Sequence, residues 1–211
     1  MTGHPLADVE ALAAVIDGMH ARTPRARRLL VGIAGAPGAG KSTVAARLAA
    51  ALPASVVLPM DGFHLPQARL VALGRRDRMG APDTFDVAAF IALLSALRRD
   101  DGATVPAPDF DRAIEEPVPG AIAIGPDART VIVEGNYLLH EADGWQPVAG
   151  LLDVTVALRL DAPTRRARLV ARHVAHGKTP AGAEAWVAGP DEANARLIAA
   201  GLDRADYSLS G

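Results

Sequence analysis

The stretch Gly35-Ala36-Pro37-Gly38-Ala39-Gly40-Lys41-Ser42 decides how this chain is read. Its spacing matches G-x-x-x-x-G-K-[ST]. Leu29 to Ala34 precedes it as a nearly continuous apolar run, the pattern of a strand buried on both faces. Thr43 to Leu52 follows it and reads as a helix that Pro53 stops. In such a strand–turn–helix, glycines let successive backbone N–H groups point into one concavity. The helix N-terminus adds partial positive charge there, and phosphate oxygens suit both. Given the composition, chance would produce the match in about one such chain in a thousand. Lys41 is also one of only two lysines among 22 Lys and Arg residues. Gly35, Ala36, Pro37, Gly38, Ala39, Gly40, Lys41, Ser42 and Thr43 are therefore read as a nucleotide-phosphate cradle. Lys41 would reach the β and γ phosphates, and the Ser42 hydroxyl would ligate Mg²⁺.

The rest of the chain repeats the strand–helix theme. Ser55–Pro59, Thr130–Val133 and Leu151–Leu160 read as further strands. Helical spacing appears over 6–21, over 87–99 behind an Asp86 N-cap, from Asp161 to about His176, and over about 190–200. Residues 62–86 and 102–120 read as irregular loops. Alternating strands and helices predict an α/β fold with a parallel sheet. With 211 residues, 50% hydrophobic and 22% charged, and no repeat or linker, one globular domain over 1–211 is expected. A net charge of −2 gives no electrostatic case for nucleic acid or an anionic membrane as partner. No cysteine means no disulfide and no thiolate metal site, and it fits the cytoplasm. No leader pattern is visible in Met1–Pro5, and the apolar runs are too short to span a bilayer.

Ligands in open α/β sheets sit beyond the carboxyl ends of the strands. Asp61, in Met60-Asp-Gly-Phe-His64, occupies that position after the second strand. A carboxylate there suits a hydroxyl acceptor, which needs a base; a phosphate acceptor is already anionic and needs cations instead. His64 is placed with the substrate or as an orienter of Asp61. Glu134, after the third strand, stands where an acid near Mg²⁺ belongs. Arg165, Arg168 and Arg172 share one face of the 161–176 helix, opposite Ala167, Val170, Ala171 and Val174. That pattern suits a lid over about 161–180 whose Arg168 and Arg172 neutralise charge during transfer. Thr84, Phe85, Phe110 and Arg112, in two dense loop patches, are expected to line a small-molecule pocket with Asn136. A guanine-reading Asn-Lys-x-Asp is missing, which argues against a GTPase-type switch.

Together these motifs resemble the P-loop kinases of the phosphoribulokinase/uridine kinase family. The likeness is closest to its fructose transport system kinase or nucleoside/nucleotide kinase-like subgroup. It is carried by Gly35–Ser42, Met60–His64, Gly80–Asp86, Pro108–Arg112, Glu134–Leu139 with Trp145, Arg168–Gly177 and Asp191–Arg196. The resemblance implies a three-layer P-loop NTPase fold of nucleoside-kinase type with a helical lid. It also implies ATP and Mg²⁺, and transfer of the γ-phosphate to an alcohol of a sugar or nucleoside-type small molecule, with Asp61 as base. It places Asn194 near the adenine. A pantothenate-kinase-like activity and a non-catalytic nucleotide sensor remain as alternatives, and a monomer or homodimer suffices for the chemistry.

Overall fold

Side chains of a strand alternate between two faces, and the run at 29–35 has apolar residues on both. It can be satisfied only by helical layers above and below. The computed structural model, which describes residues 3–24 and 27–211, has that architecture. (Met1 and Thr2, part of the stretch read for a leader, lie outside the described residues.) In chain order the elements are β1 (His4–Pro5), α1 (Val9–Arg22), β2 (Leu29–Gly35), α2 (Lys41–Ala51), β3 (Ser55–Pro59), α3 (Gln67–Ala72), α4 (Val87–Arg99), β4 (Val105–Asp111), β5 (Glu116–Ile124), β6 (Thr130–Gly135), α5 (Pro147–Gly150), β7 (Val154–Arg159), α6 (Ala162–Ala175), α7 (Pro180–Trp186), α8 (Glu192–Leu202) and β8 (Tyr207–Ser210).

Six strands form one sheet in the order β1-β8-β7-β2-β6-β3, with every pairing parallel. Leu29, Val31 and Ile33 pack with Leu12 and Ile16 of α1 and Leu48 of α2 on one face. Leu30 and Ala34 pack with Phe90 and Leu94 of α4, Ile198 of α8, Tyr137 and Trp145 on the other. The result is the expected three-layer α/β sandwich. The caps read from sequence are present: Asp86 accepts from Ala89 N at 2.9 Å and Asp161 from Thr164 N at 2.9 Å.

Two expectations need correction. Residues 102–120 are not irregular: β4 and β5 form an antiparallel hairpin beside the main sheet. Pro106, Pro108, Pro117 and Pro119 argue against a strand in the sequence. A two-stranded ribbon is all edge, however, so a missing N–H can face away from the ladder at no cost. Residues 62–86 likewise contain α3 and short 3₁₀ turns. The helix expected over about 190–200 is present as α8, and a helix not foreseen, α7, leads into it through a π-helical turn over Val187–Asp191.

Candidate active site

Sheet order brings three strand ends together. β6 lies between β2 and β3, so Glu134 pairs with Ile33 on one side and Pro59 on the other. Lys41 and Ser42 open α2 directly above them. Lys41 Nζ donates to Asn136 Oδ1 at 2.7 Å and to Ala36 O at 3.3 Å. Ser42 Oγ donates to Glu134 Oε1 at 2.8 Å. Burial pushes the Lys41 pKa down, against the raising effect of Glu134 and Asp61. Burial pushes the Glu134 pKa up, helped by Asp61 and opposed by Lys41. Both charges are thus held at a cost that bound phosphates and a divalent cation would relieve. The Ser42 and Glu134 oxygens are a hard donor pair of the kind Mg²⁺ takes alongside phosphates and waters. Among the described residues no group of three or more His, Cys, Asp or Glu forms a metal cage, and Mg²⁺ held with nucleotide needs none.

Asp61 lies in a 3₁₀ turn just past β3. A Cβ on Gly62 would stand 2.4 Å from Pro108 O, so only glycine lets the β4–β5 hairpin close onto this turn. The hairpin delivers Arg112, whose Nη2 donates to Asp61 Oδ2 at 2.7 Å. Burial opposes ionisation of Asp61, but the nearby His64, Arg112 and Lys41 outweigh it and hold its pKa below the usual carboxylate range. His64 is itself desolvated, which lowers its pKa against the raising effect of Asp61. Its ring lies between Phe85 and Phe110, centroids 4.0 and 4.8 Å away, and its Nδ1 is 2.7 Å from Asp61 O.

α6 packs straight onto the glycine-rich loop. Gly38 has φ +79°, and a Cβ there would stand 2.8 Å from Leu169 and 2.9 Å from Arg165 O. Arg168 and Arg172 line a cavity of about 270 Å³ over the loop, with Gly38, Lys41, Asp61 and Arg112. Arg165 does not join them. It is buried, and its Nη2 donates to Glu192 Oε2 at 2.6 Å, which ties α6 to α8. The face of α6 expected to be the apolar contact is largely exposed, Val174 included; the packing face is Arg165 and Leu169.

The Arg165–Glu192 tie supports a stability prediction. Hydrogen bonding from Arg166, with the bond and charge of Arg165, holds the Glu192 pKa down at about 2. A depressed carboxylate stabilises the fold above its unfolded pKa and loses that contribution as pH falls through the folded value. The expected loss runs from about pH 4.5 down to about pH 2. Glu192→Ala should cost about 2 kcal/mol at pH 7, between the values for exposed and buried pairs. That is roughly 4–8 °C in Tm. A Tm-versus-pH series on both proteins checks it: the difference should shrink in acid.

The other sequence-derived positions divide. Asn136 and Thr43 join Lys41 at the loop cavity; Phe110, Arg112 and His64 line a second cavity on the far side of Asp61. Thr84 and Phe85 do not reach it. Thr84 is buried, accepting from Gly80 N at 3.0 Å and donating to Ala81 O at 2.7 Å, and Phe85 packs against Tyr137 and Trp145 behind the wall. Asn194, expected beside the adenine, lines the second cavity, and its Nδ2 donates to Gly80 O at 3.3 Å. Sequence reading missed Arg76, Met79, His173 and Trp186 in that wall. No local pattern marks them; the fold alone collects them.

No family model matches the chain. An ATP-dependent kinase-like protein, notR', of Aspergillus versicolor is 41% identical over 145 residues, covering 64% of this chain and 84% of that one. A Schizosaccharomyces pombe protein named "putative uridine kinase" is 35% identical over 161 residues, covering 72% and 68%. The crystal structure of a "putative fructose transport system kinase" from a Silicibacter species superposes with TM-score 0.83 at 42% identity, covering 93% and 98%. The chain belongs to the uridine kinase-like family of P-loop kinases. Its sandwich is accordingly a P-loop NTPase fold, and it is an ATP-dependent phosphotransferase acting on a small molecule. Among the described residues no helix of this kinase is long and apolar enough to cross a membrane.

A stability–activity trade follows from the buried Glu134 of this kinase. A carboxyl whose pKa is raised on folding disfavours the folded state as pH rises above its unfolded value, with the full cost reached above the raised one. Glu134→Gln keeps an acceptor for Ser42 and removes the charge. Its expected outcome is a Tm higher by about 2–4 °C without nucleotide, together with a lost Mg²⁺-dependent stabilisation by ATP. Thermal melts with and without Mg²⁺ and ATP measure both.

Proposed function

We propose that this kinase transfers the γ-phosphate of Mg-ATP to an alcohol hydroxyl of a sugar or nucleoside-type molecule, with Asp61 as the base. The supporting observation is the asymmetry of that carboxylate. Oδ2 is held by Arg112, while Oδ1 has no hydrogen-bond partner among the described residues. One oxygen fixes the orientation and the other is open to accept a hydroxyl proton. A lowered pKa keeps the group ionised at neutral pH, and the negative charge of arriving phosphates raises its basicity when it is needed.

The remaining roles follow from position. Lys41 exchanges its bond to Asn136 for the β and γ phosphate oxygens, and the backbone N–H groups of residues 38–43 bind the rest of the chain of phosphates. Ser42 and Glu134 would hold Mg²⁺, which when bound neutralises phosphate charge. Arg168 and Arg172 on α6 stabilise the charge that spreads over the transferring group. α6 also covers the loop and keeps water from competing with the acceptor. The acceptor enters beside His64 and Phe110, and Asp61 Oδ1 takes its proton as the phosphoryl group moves in line.

The direct test is acceptor-dependent ATP consumption with purified protein. The panel is sugars, nucleosides, pantothenate and glycerate, with the product identified by a mass gain of one phosphate. An O-phosphorylated product supports the reading. Phosphorylation of a phosphate group to a diphosphate would overturn it, because that chemistry has no use for Asp61.

A further inference from the structure

The cavity beyond Asp61 has more cations than carboxylates to match them. Three carboxylates face it, against four Lys and Arg residues: Asp61 pairs with Arg112 at 2.7 Å, Glu115 pairs with Arg76 at 2.5 Å, and Asp191 lies 2.8 Å from His173 Nε2, a hydrogen-bond partner that is a cation only when protonated. Two further cations, Arg172 and Lys178, have no ion pair among the described residues. Arg172 also lines the cavity over the phosphate loop, so its charge is used by the transferring phosphoryl group. Lys178 does not reach that cavity; it lines the acceptor side and the open groove next to it.

Lys178 is the second of the chain's two lysines. The chain turns back at the end of α6, with Lys178 N bonded to His173 O at 3.0 Å. Its ammonium then rests 4.5 Å from the centre of the Trp186 ring. A ring holds a cation in place without cancelling its charge. Low-dielectric walls, here Phe110 and Trp186, strengthen the field it projects into the cavity. The ammonium of a half-buried lysine that pairs with no carboxylate among the described residues is a ready point-charge site for an anion.

We propose that the acceptor carries an anionic group, carboxylate or phosphate, besides the hydroxyl that is phosphorylated, and that Lys178 on its Trp186 shelf binds it. The proposal rests on the alcohol-kinase reading for what the cavity accepts. The anion site itself is testable without turnover. Trp186 reports on it, because the other tryptophan, Trp145, is fully buried.

Two experiments decide it. In the first, protein saturated with Mg²⁺ and a non-hydrolysable ATP analogue, so that the phosphate loop is filled, is titrated with inorganic phosphate and separately with acetate. Tryptophan fluorescence should change saturably with at least one anion, and the change should vanish in Lys178→Met and persist in Lys178→Arg. A flat titration, or the same response in Lys178→Met, overturns the site. In the second, matched acceptors are compared: a neutral sugar, its phosphate and its sugar acid, then a nucleoside and its monophosphate. An anionic member should exceed its neutral partner at least tenfold in kcat/KM, and phosphate against acid identifies the group. Lys178→Met should lower that kcat/KM about 10–100-fold, more through KM than kcat, with Lys178→Arg recovering most of it. Preference for neutral acceptors would leave the alcohol-kinase reading intact and sink this one. Equal losses on neutral and anionic acceptors would do the same, marking Lys178 as packing only. If no acceptor turns over, the alcohol-kinase reading fails by itself and the titration alone rules on the anion site.

Discussion

Asp61→Asn is expected to lower kcat by about 10²–10⁴-fold, the usual contribution of a positioned base, while the protein still binds ATP. Asparagine has the same shape and still offers Arg112 an acceptor, but it cannot take up a proton. The variant keeps the β4–β5 hairpin in place, so the loss falls on chemistry and not on assembly. ATP affinity by calorimetry and single-turnover rates with an acceptor that the wild-type protein phosphorylates separate the two. A second expectation concerns pH. Because His64, Arg112 and Lys41 keep the Asp61 pKa below the usual carboxylate range, Asp61 itself should add no step to the wild-type pH profile between neutral pH and that range. A loss at higher pH that moves with Mg²⁺ concentration belongs to Glu134, whose pKa burial raises. A fall in kcat/KM centred near pH 6 or above would assign the essential proton to another group. A near-normal rate in the Asp61→Asn variant would remove Asp61 from the chemistry altogether.

Lys41→Ala is expected to reduce kcat by about 10²–10³-fold, as removal of one charge-stabilising donor does elsewhere. It should weaken ATP binding as well. The two losses differ in origin. Lys41 sits between Glu134 and Asp61 and offsets both. Its removal leaves two carboxylates less compensated exactly where phosphates must enter. Added Mg²⁺ should therefore restore part of the ATP affinity in this variant while leaving kcat low. If Mg²⁺ concentration has no effect on its ATP affinity, the electrostatic account of Glu134 is wrong.

Much of this was legible in the sequence, and for a common reason. The phosphate loop, the acid just past β3 and the one at the end of β6, the two helix N-caps and the parallel α/β character are all local or periodic. A glycine two residues before Ser42 or a carboxylate right after an apolar strand has its meaning within a few residues. The β4–β5 hairpin was not legible, because four prolines mask a ribbon that tolerates them only by having no interior strand. The π-helical turn at Val187–Asp191, which joins α7 to α8, was not legible either, because it has no sequence period of its own.

The division is clearest on α6. Sequence by itself determined that residues 161–176 would be an amphipathic, arginine-rich helix after the fourth long strand, because capping and a 3.6-residue period are written in neighbouring residues. It also determined that Lys41, Ser42, Asp61 and Glu134 would stand at strand ends on one side of a sheet. Only the tertiary structure decided which arginine does what. Arg165 is spent on Glu192, 27 residues away, and Arg168 and Arg172 are left facing the loop. It alone brought Arg112 to Asp61 across 51 residues, and it alone set Lys178 over Trp186 with no ion pair among the described residues. The pairing of charges distant in sequence depends on sheet order and crossover direction. A linear pattern shows how many cations a chain has, and only the packed fold shows which of them remain free to bind a ligand.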